Sequence, residues 1–309
     1  MIAKPVIAKP VIAKPVIAKP VIAKPVIAKT GTTKAVPLAE GFGADIQGVD
    51  LSQPVSDADR GTIYRTFLDH RVIRLRGQDL APDNVLDASR ILGPDLEAHL
   101  FKQFHHPDTP LIIILSNRRD TKTGAEKGLK NGGAFWHHDV SYKPEPAKAT
   151  MLYAVEVPDE GGDTIFCDMT RAYDELSDDL KDRIAGRTAI HNYGYLKREI
   201  FTSGQAEVPP DCRHPVVRTH PETGRKALYI NPSYTVRIEG LEEAESDALK
   251  QKIFEHCLQE KYLMHYKWQA GDVVAWDNAA SMHTATTDKL DPAKYRTLWR
   301  TIVSGGPTM

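Results

Sequence analysis

Cysteine is scarce in this 309-residue chain: Cys167, Cys212 and Cys257 make an odd number, with no Cys-x-x-Cys spacing. That excludes a disulfide scaffold, a cysteine-built zinc module and a thioredoxin-like motif, and it favours a reducing, cytoplasmic location. Long apolar runs are missing too. None approaches the roughly 20 residues needed to cross a bilayer, and the N-terminus has no uninterrupted apolar segment of the signal-peptide kind. No charge of one sign is in excess. A net charge of −1 gives no whole-molecule attraction to nucleic acid. Aromatic residues are few, at 7%, but 41% apolar and 26% charged residues are ordinary for a globular protein and exclude disordered and collagenous classes.

What charge does cluster lies at one end. Residues 1–30 run through an Ile-Ala-Lys-Pro-Val repeat with six lysines and no acid, which leaves the rest of the chain mildly acidic. Proline at every fifth position from Pro5 to Pro25 blocks a helix and removes ladder donors from a strand. The expectation is an extended, catalytically idle tail followed by one folded domain over 31–309.

Within that domain the patterns predict strands over Gly43–Leu51, Val72–Leu75, Leu111–Leu115, Met151–Val157, Thr164–Cys167, Thr188–Tyr193, Ala227–Asn231, Tyr262–Trp268, Asp272–Trp276 and Tyr295–Val303. Helices are expected over Ser56–His70, Pro82–Leu92, Thr170–Ala185 and Glu242–Leu258. Residues 117–134 read as a long polar loop, of a length that often forms a lid. Many short strands without β-α alternation argue for a mainly β protein whose jelly-roll core is decorated by helices.

Twelve histidines are scattered through the chain, and about one His-x-Asp is expected by chance at this composition. There are two. His106-Pro107-Asp108 has a proline inside and Thr109-Pro110 after it, which reads as a turn. His137-His138-Asp139 sits among Ala134-Phe135-Trp136 and Val140-Ser141-Tyr142, residues suited to a strand. In a strand, i and i+2 share a face, so His137 and Asp139 can chelate one ion while His138 points away. Such a pair is the near half of a two-histidine, one-carboxylate iron site, and it needs a second imidazole. His283, after the apolar run 271–276 and a polar turn, is the preferred candidate, with His191, His214, His220, His256 and His265 competing on pattern alone. Arg296 and Arg300, four apart on the last predicted strand, share a face roughly 13 Å apart with Leu298 between them. Buried cations need anions, so two separate small acids would suit them. Thr164, after Gly161-Gly162-Asp163, offers a hydroxyl.

Taken together these residues resemble the taurine dioxygenase family of iron(II)- and 2-oxoglutarate-dependent oxygenases, which also includes phenoxyalkanoate dioxygenases. The stretches that carry the resemblance are Trp136 to Tyr142, Val157 to Thr164, His214 to Pro221, Ala227 to Asn231 and Gly271 to His283, then the two arginines, within a span of about 38–304. The resemblance implies a cupin-like double-stranded β-helix with Fe(II) bound by His137, Asp139 and His283. It implies that Thr164 and Arg296 hold the distal carboxylate of 2-oxoglutarate, and that Arg300, with His99 and Tyr234, faces a small anionic substrate. A family asparagine before the tryptophan has no counterpart, since Gly132 and Gly133 stand there, and this bears on the substrate rather than the chemistry. The implied reaction consumes O2, decarboxylates 2-oxoglutarate to succinate and CO2, and hydroxylates a C–H of taurine or another alkylsulfonate, or cleaves a phenoxyalkanoate ether. A zinc hydrolase built on the same three ligands and a non-catalytic small-acid binder are the alternatives from other classes. No nucleic-acid or membrane partner is expected, and homo-oligomerisation is left open.

Overall fold

The computed structural model describes residues 33–38, 41–195 and 209–308. The N-terminal repeat and the expectation attached to it lie outside the described residues. Strand Val72–Leu75 pairs antiparallel with Val273–Asp277, which pairs in turn with Ala149–Glu156, and that with Thr297–Val303. Thr109–Ser116 and His105–His106 extend this nine-stranded sheet on one side, and Ala44–Gln47 and Lys34–Pro37 on the other. A second, three-stranded sheet is made of Leu263–Tyr266, Thr164–Asp168 and Ser281–Ala285. The two face each other across an apolar layer, the jelly-roll arrangement.

The central strands are buried on both faces, which is why they read as unbroken apolar runs rather than as alternating patterns. Period two still sorts their side chains. Ile73, Leu75, Met151, Val273 and Ala275 pack under helices Asp57–His70 and Pro82–Ser89 with Ile63, Phe67, Val85 and Leu86. Val72, Leu152, Val274, Trp276 and Leu298 point the other way and meet Phe166 of the second sheet. A third apolar cluster lies around Cys167 and Met282, where helices Met169–Asp174, Asp178–Ile184 and Glu243–Cys257 cover the second sheet. Arg71, in the left-handed region at φ 64°, ends the first helix, and its Nη2 reaches Asp168 Oδ2 at 2.8 Å, tying the two sheets together. Among the described residues no helix is long and apolar enough to cross a membrane.

Several expected elements are corrected. The segment around His137 is no strand: it makes one isolated bridge, His137 with His283, and then turns through Val140 at φ 60°. The helix expected over Thr170–Ala185 is two, because Ser177 accepts the Leu180 N–H and caps a fresh start. Arg296 stands just before the last strand rather than in it. The 117–134 segment is a loop, as expected, and it is anchored: Leu129 lies in the core with its N–H and C=O bonded to Ile114 and Ser116. The three cysteines are buried free thiols.

His191 and His214 are buried in the small sheet of Thr188–His191, Cys212–Pro215 and Thr235–Ile238. Burial pushes the His191 imidazole well below its ordinary pKa and lowers His214 to about 4. Both are therefore neutral in the folded protein, while an unfolded chain takes up protons below about 6.5. Stability should be fully present at pH 7.5 and fall as the pH drops below 6.5, by about 1.4 kcal/mol per histidine per unit. Urea midpoints at pH 7.5 and 5.5 check this, and an unchanged or higher midpoint at pH 5.5 contradicts it.

Candidate active site

The bridge that replaces the expected strand is what builds the site. His137 N–H donates to the His283 carbonyl at 2.9 Å and His283 N–H to the His137 carbonyl at 3.0 Å. A mutually bonded pair of this kind sets its two side chains on the same face, and here the imidazole centroids are 4.2 Å apart. Asp139 is delivered to them by the turn that follows. Its Oδ1 lies 3.3 Å from His137 Nε2 and its Oδ2 3.7 Å from His283 Nε2. All three residues are buried, and one ligand atom from each falls within 4.8 Å of the others. His283 thus occupies a strand, Ser281–Ala285, rather than the end of a turn.

A cation fits this set. His137 Nδ1–H donates to the Phe135 carbonyl at 2.8 Å, which turns Nε2 towards Asp139. Burial, with His137 beside it, drives the His283 pKa well down, so this imidazole is neutral. Two imidazole rings and a carboxylate thus converge on one point, each offering a ligand atom. Burial would raise the Asp139 pKa, but the Arg300 guanidinium beside it outweighs this and holds the carboxyl well below the ordinary range. Nitrogen and carboxylate donors in a two-to-one ratio suit Fe(II).

The carboxylate is held by a closed ring of hydrogen bonds. Thr150 O–H donates to Asp139 Oδ2 at 2.7 Å, Asn278 Nδ2–H donates to Thr150 Oγ1 at 3.1 Å, and Asn278 Oδ1 accepts the Asp139 N–H at 3.2 Å. Trp276 Nε1–H also donates to that oxygen. Neither Thr150 nor Asn278 was singled out from the sequence, and only their places beside a central strand could have signalled them. His138 is turned away and buried with its ring 4.6 Å from Tyr229.

His99, Thr164, Tyr234, Arg296 and Arg300 all line the same cavity as the three ligands. Arg296 is buried, its Nε has no partner, and burial lowers its pKa to about 10, with Asp163 the one opposing influence. An unmatched buried guanidinium is a receptor for an anion. Gly162, at φ 71°, lies so close that a Cβ there would come within 2.9 Å of Arg296 Cδ. Arg300 Nη2 donates to Asp139 Oδ1 at 2.6 Å. His99 accepts the Phe101 N–H on Nδ1, and burial with Arg300 nearby lowers its pKa to about 3. With Nδ1 accepting, the neutral ring carries its proton on Nε2, a donor on a residue that lines the cavity. Tyr142, Tyr193 and Tyr234 form an aromatic wall with centroids 4.2–5.6 Å apart, of which the sequence pointed only to Tyr234.

Residues 34–302 match the Taurine catabolism dioxygenase TauD, TfdA family. The chain belongs to this family. It is 33% identical over 261 residues to the alpha-ketoglutarate-dependent 2,4-dichlorophenoxyacetate dioxygenase of Cupriavidus pinatubonensis, covering 81% of this chain and 90% of that one. To the alpha-ketoglutarate-dependent sulfonate dioxygenase of Saccharomyces cerevisiae it is 31% identical, over 85% of this chain and 65% of the other. Among solved structures it resembles a taurine dioxygenase from Burkholderia xenovorans, with TM-score 0.76, 30% identity, and 90% and 91% of the two chains covered. It also resembles AAD-2 in complex with Mn(II) and N-oxalylglycine, with TM-score 0.73, 25% identity, and 90% and 100% covered. This member of the family is an Fe(II)- and 2-oxoglutarate-dependent dioxygenase with a His-Asp-His metal site.

The hydrogen-bonded ring predicts a measurable cost. Thr150→Val keeps the volume but removes the donor to Asp139, and the loss of such a support to a ligand typically weakens metal binding 10- to 100-fold. Titration of the anaerobic enzyme with Fe(II) should show at least a tenfold rise in the dissociation constant. An unchanged constant would remove the ring from the account.

Proposed function

We propose that the enzyme hydroxylates a C–H of a small organic acid, an alkylsulfonate such as taurine, with succinate and CO2 as co-products. The observation that carries this is Arg300: its guanidinium is bonded to the ligand Asp139 and lines the cavity, so an anion bound to it is fixed beside the metal. The neutral Nε2–H of His99 is a second donor for the same acidic group. Thr164 and Arg296 take the far carboxylate of 2-oxoglutarate at the other end of the cavity. Fe(II) bound by His137, Asp139 and His283 supplies the activation of O2 and the oxidative decarboxylation. The protein's own part is to orient the two acids and to keep water out with Phe101, Tyr142 and Tyr234, all buried. Hydroxylation at a carbon bearing sulfonate gives a product that expels sulfite and leaves an aldehyde.

The tyrosine wall favours a second reading within the same chemistry, an aryl ether acid of the phenoxyalkanoate kind, because three rings at these spacings form a surface for another ring. Three converging metal ligands and membership of a dioxygenase family leave the zinc hydrolase and the non-catalytic binder without support. A reducing, cytoplasmic setting goes with the three buried free thiols.

Aerobic assay with Fe(II) and 2-oxoglutarate should show succinate release that depends on an added alkylsulfonate or, on the second reading, on a phenoxyalkanoate. A guanidinium binds an oxyanion by a directional fork that lysine reproduces poorly. Arg296→Lys should therefore raise KM for 2-oxoglutarate about tenfold, and Arg300→Lys should raise KM for the primary substrate and leave 2-oxoglutarate binding nearly unchanged. Untouched affinity of Arg300→Lys for every accepted substrate would defeat the anionic-substrate reading.

A further inference from the structure

The clamp assigned to the far carboxylate of 2-oxoglutarate has a third member that does not line the cavity. Trp268 stands two residues beyond Tyr266, which pairs with Thr164 across the second sheet, and its indole reaches back to Thr164. Its Nε1–H donates to Thr164 Oγ1 at 3.0 Å. The Arg296 guanidinium lies over the same indole, with Cζ 5.8 Å from the ring centroid, within the range of a cation–π contact. Trp268 is buried, with Tyr266 edge-on to it at 5.0 Å.

The hydrogen-bond inventory of these groups decides their roles. An indole N–H can only donate, so the Thr164 oxygen must accept, and its single O–H is left to donate elsewhere. The anion-binding end of the cavity is where a donor is wanted, and this O–H supplies one. Arg296, with an unpartnered Nε, meets the same requirement, and its Cζ lies within cation–π range of the indole. One side chain thereby orients the hydroxyl and attracts the guanidinium.

We propose that Trp268 is a positioning residue for the co-substrate, acting through Thr164 and Arg296 to set the enzyme's selectivity for a 2-oxo acid with a distal carboxylate. The inference rests on the reading that these two residues bind that carboxylate. It assigns Trp268 no contact with the primary substrate or with the metal.

The test compares 2-oxoglutarate with 2-oxobutyrate, which lacks the distal carboxylate, as ligands of the anaerobic Fe(II) enzyme, with dissociation constants from the visible band of the metal–2-oxo acid chelate. Wild type should prefer 2-oxoglutarate, and Thr164→Val should erode that preference. Trp268→Phe removes the N–H but keeps a ring. It should weaken 2-oxoglutarate about five- to tenfold and leave 2-oxobutyrate within twofold. Trp268→Leu, which also removes the ring under Arg296, should weaken it further. Trp268→Phe added to Thr164→Val should cost less than the two effects together, because both act through one hydroxyl. A dissociation constant refers to the folded fraction alone, so partial unfolding cannot imitate the split. Equal loss for both 2-oxo acids, additive effects, or failure of both Trp268 variants to fold would overturn the assignment and show a core residue. If instead wild type and Thr164→Val discriminate the two acids equally, the carboxylate clamp itself falls.

Discussion

The site depends on one buried negative charge. Asp139 is almost fully shielded from water, and an isolated carboxylate there would be neutralised by protonation. Arg300 and Thr150 donate to it and keep it ionised, the backbone contact to Asn278 holds it in place, and the ionised carboxylate is what makes two imidazoles a metal site rather than a pair of core histidines. Removing any one support leaves a buried charge less compensated, which costs more than the contact itself is worth.

The fold provides this arrangement by placing unlike elements side by side. Asn278 follows the strand Val273–Asp277 of the large sheet, His283 lies on the strand Ser281–Ala285 of the small one, and three residues separate those strands. The chain therefore crosses from one layer of the jelly roll to the other between a residue that supports the ligand and a ligand itself. His137 is fixed by a backbone pair with His283 and not by a sheet of its own, so the spacing of the two imidazoles is set by two hydrogen bonds. Arg300 reaches the same point from the last strand of the large sheet, and Arg296 from just before it.

Much of this was legible in the sequence. The apolar runs located the central strands because burial on both faces removes polar alternation, and Ser56 marked its helix by accepting the Asp59 N–H. His137 and Asp139 were paired from a strand geometry that the chain does not adopt; they converge because a single bridge and a turn at Val140 direct them to one point. Pattern alone left His283 among six histidines, since its place is decided by a contact 146 residues distant in sequence from His137, and resemblance made the choice. Thr150, Asn278 and Trp268 were not legible at all. Their types are common in strands and turns, and their roles come only from the partners that the two sheets bring to them.

The most direct measurement is Fe(II) stoichiometry and affinity in the anaerobic enzyme with 2-oxoglutarate, for wild type and for Asp139→Ala, His283→Ala and His138→Gln. One Fe(II) per chain is the expected result for wild type and His138→Gln, with loss of tight binding in the other two and a melting temperature showing that each remains folded. Undiminished Fe(II) binding in folded His283→Ala or Asp139→Ala would contradict a single site made of His137, Asp139 and His283.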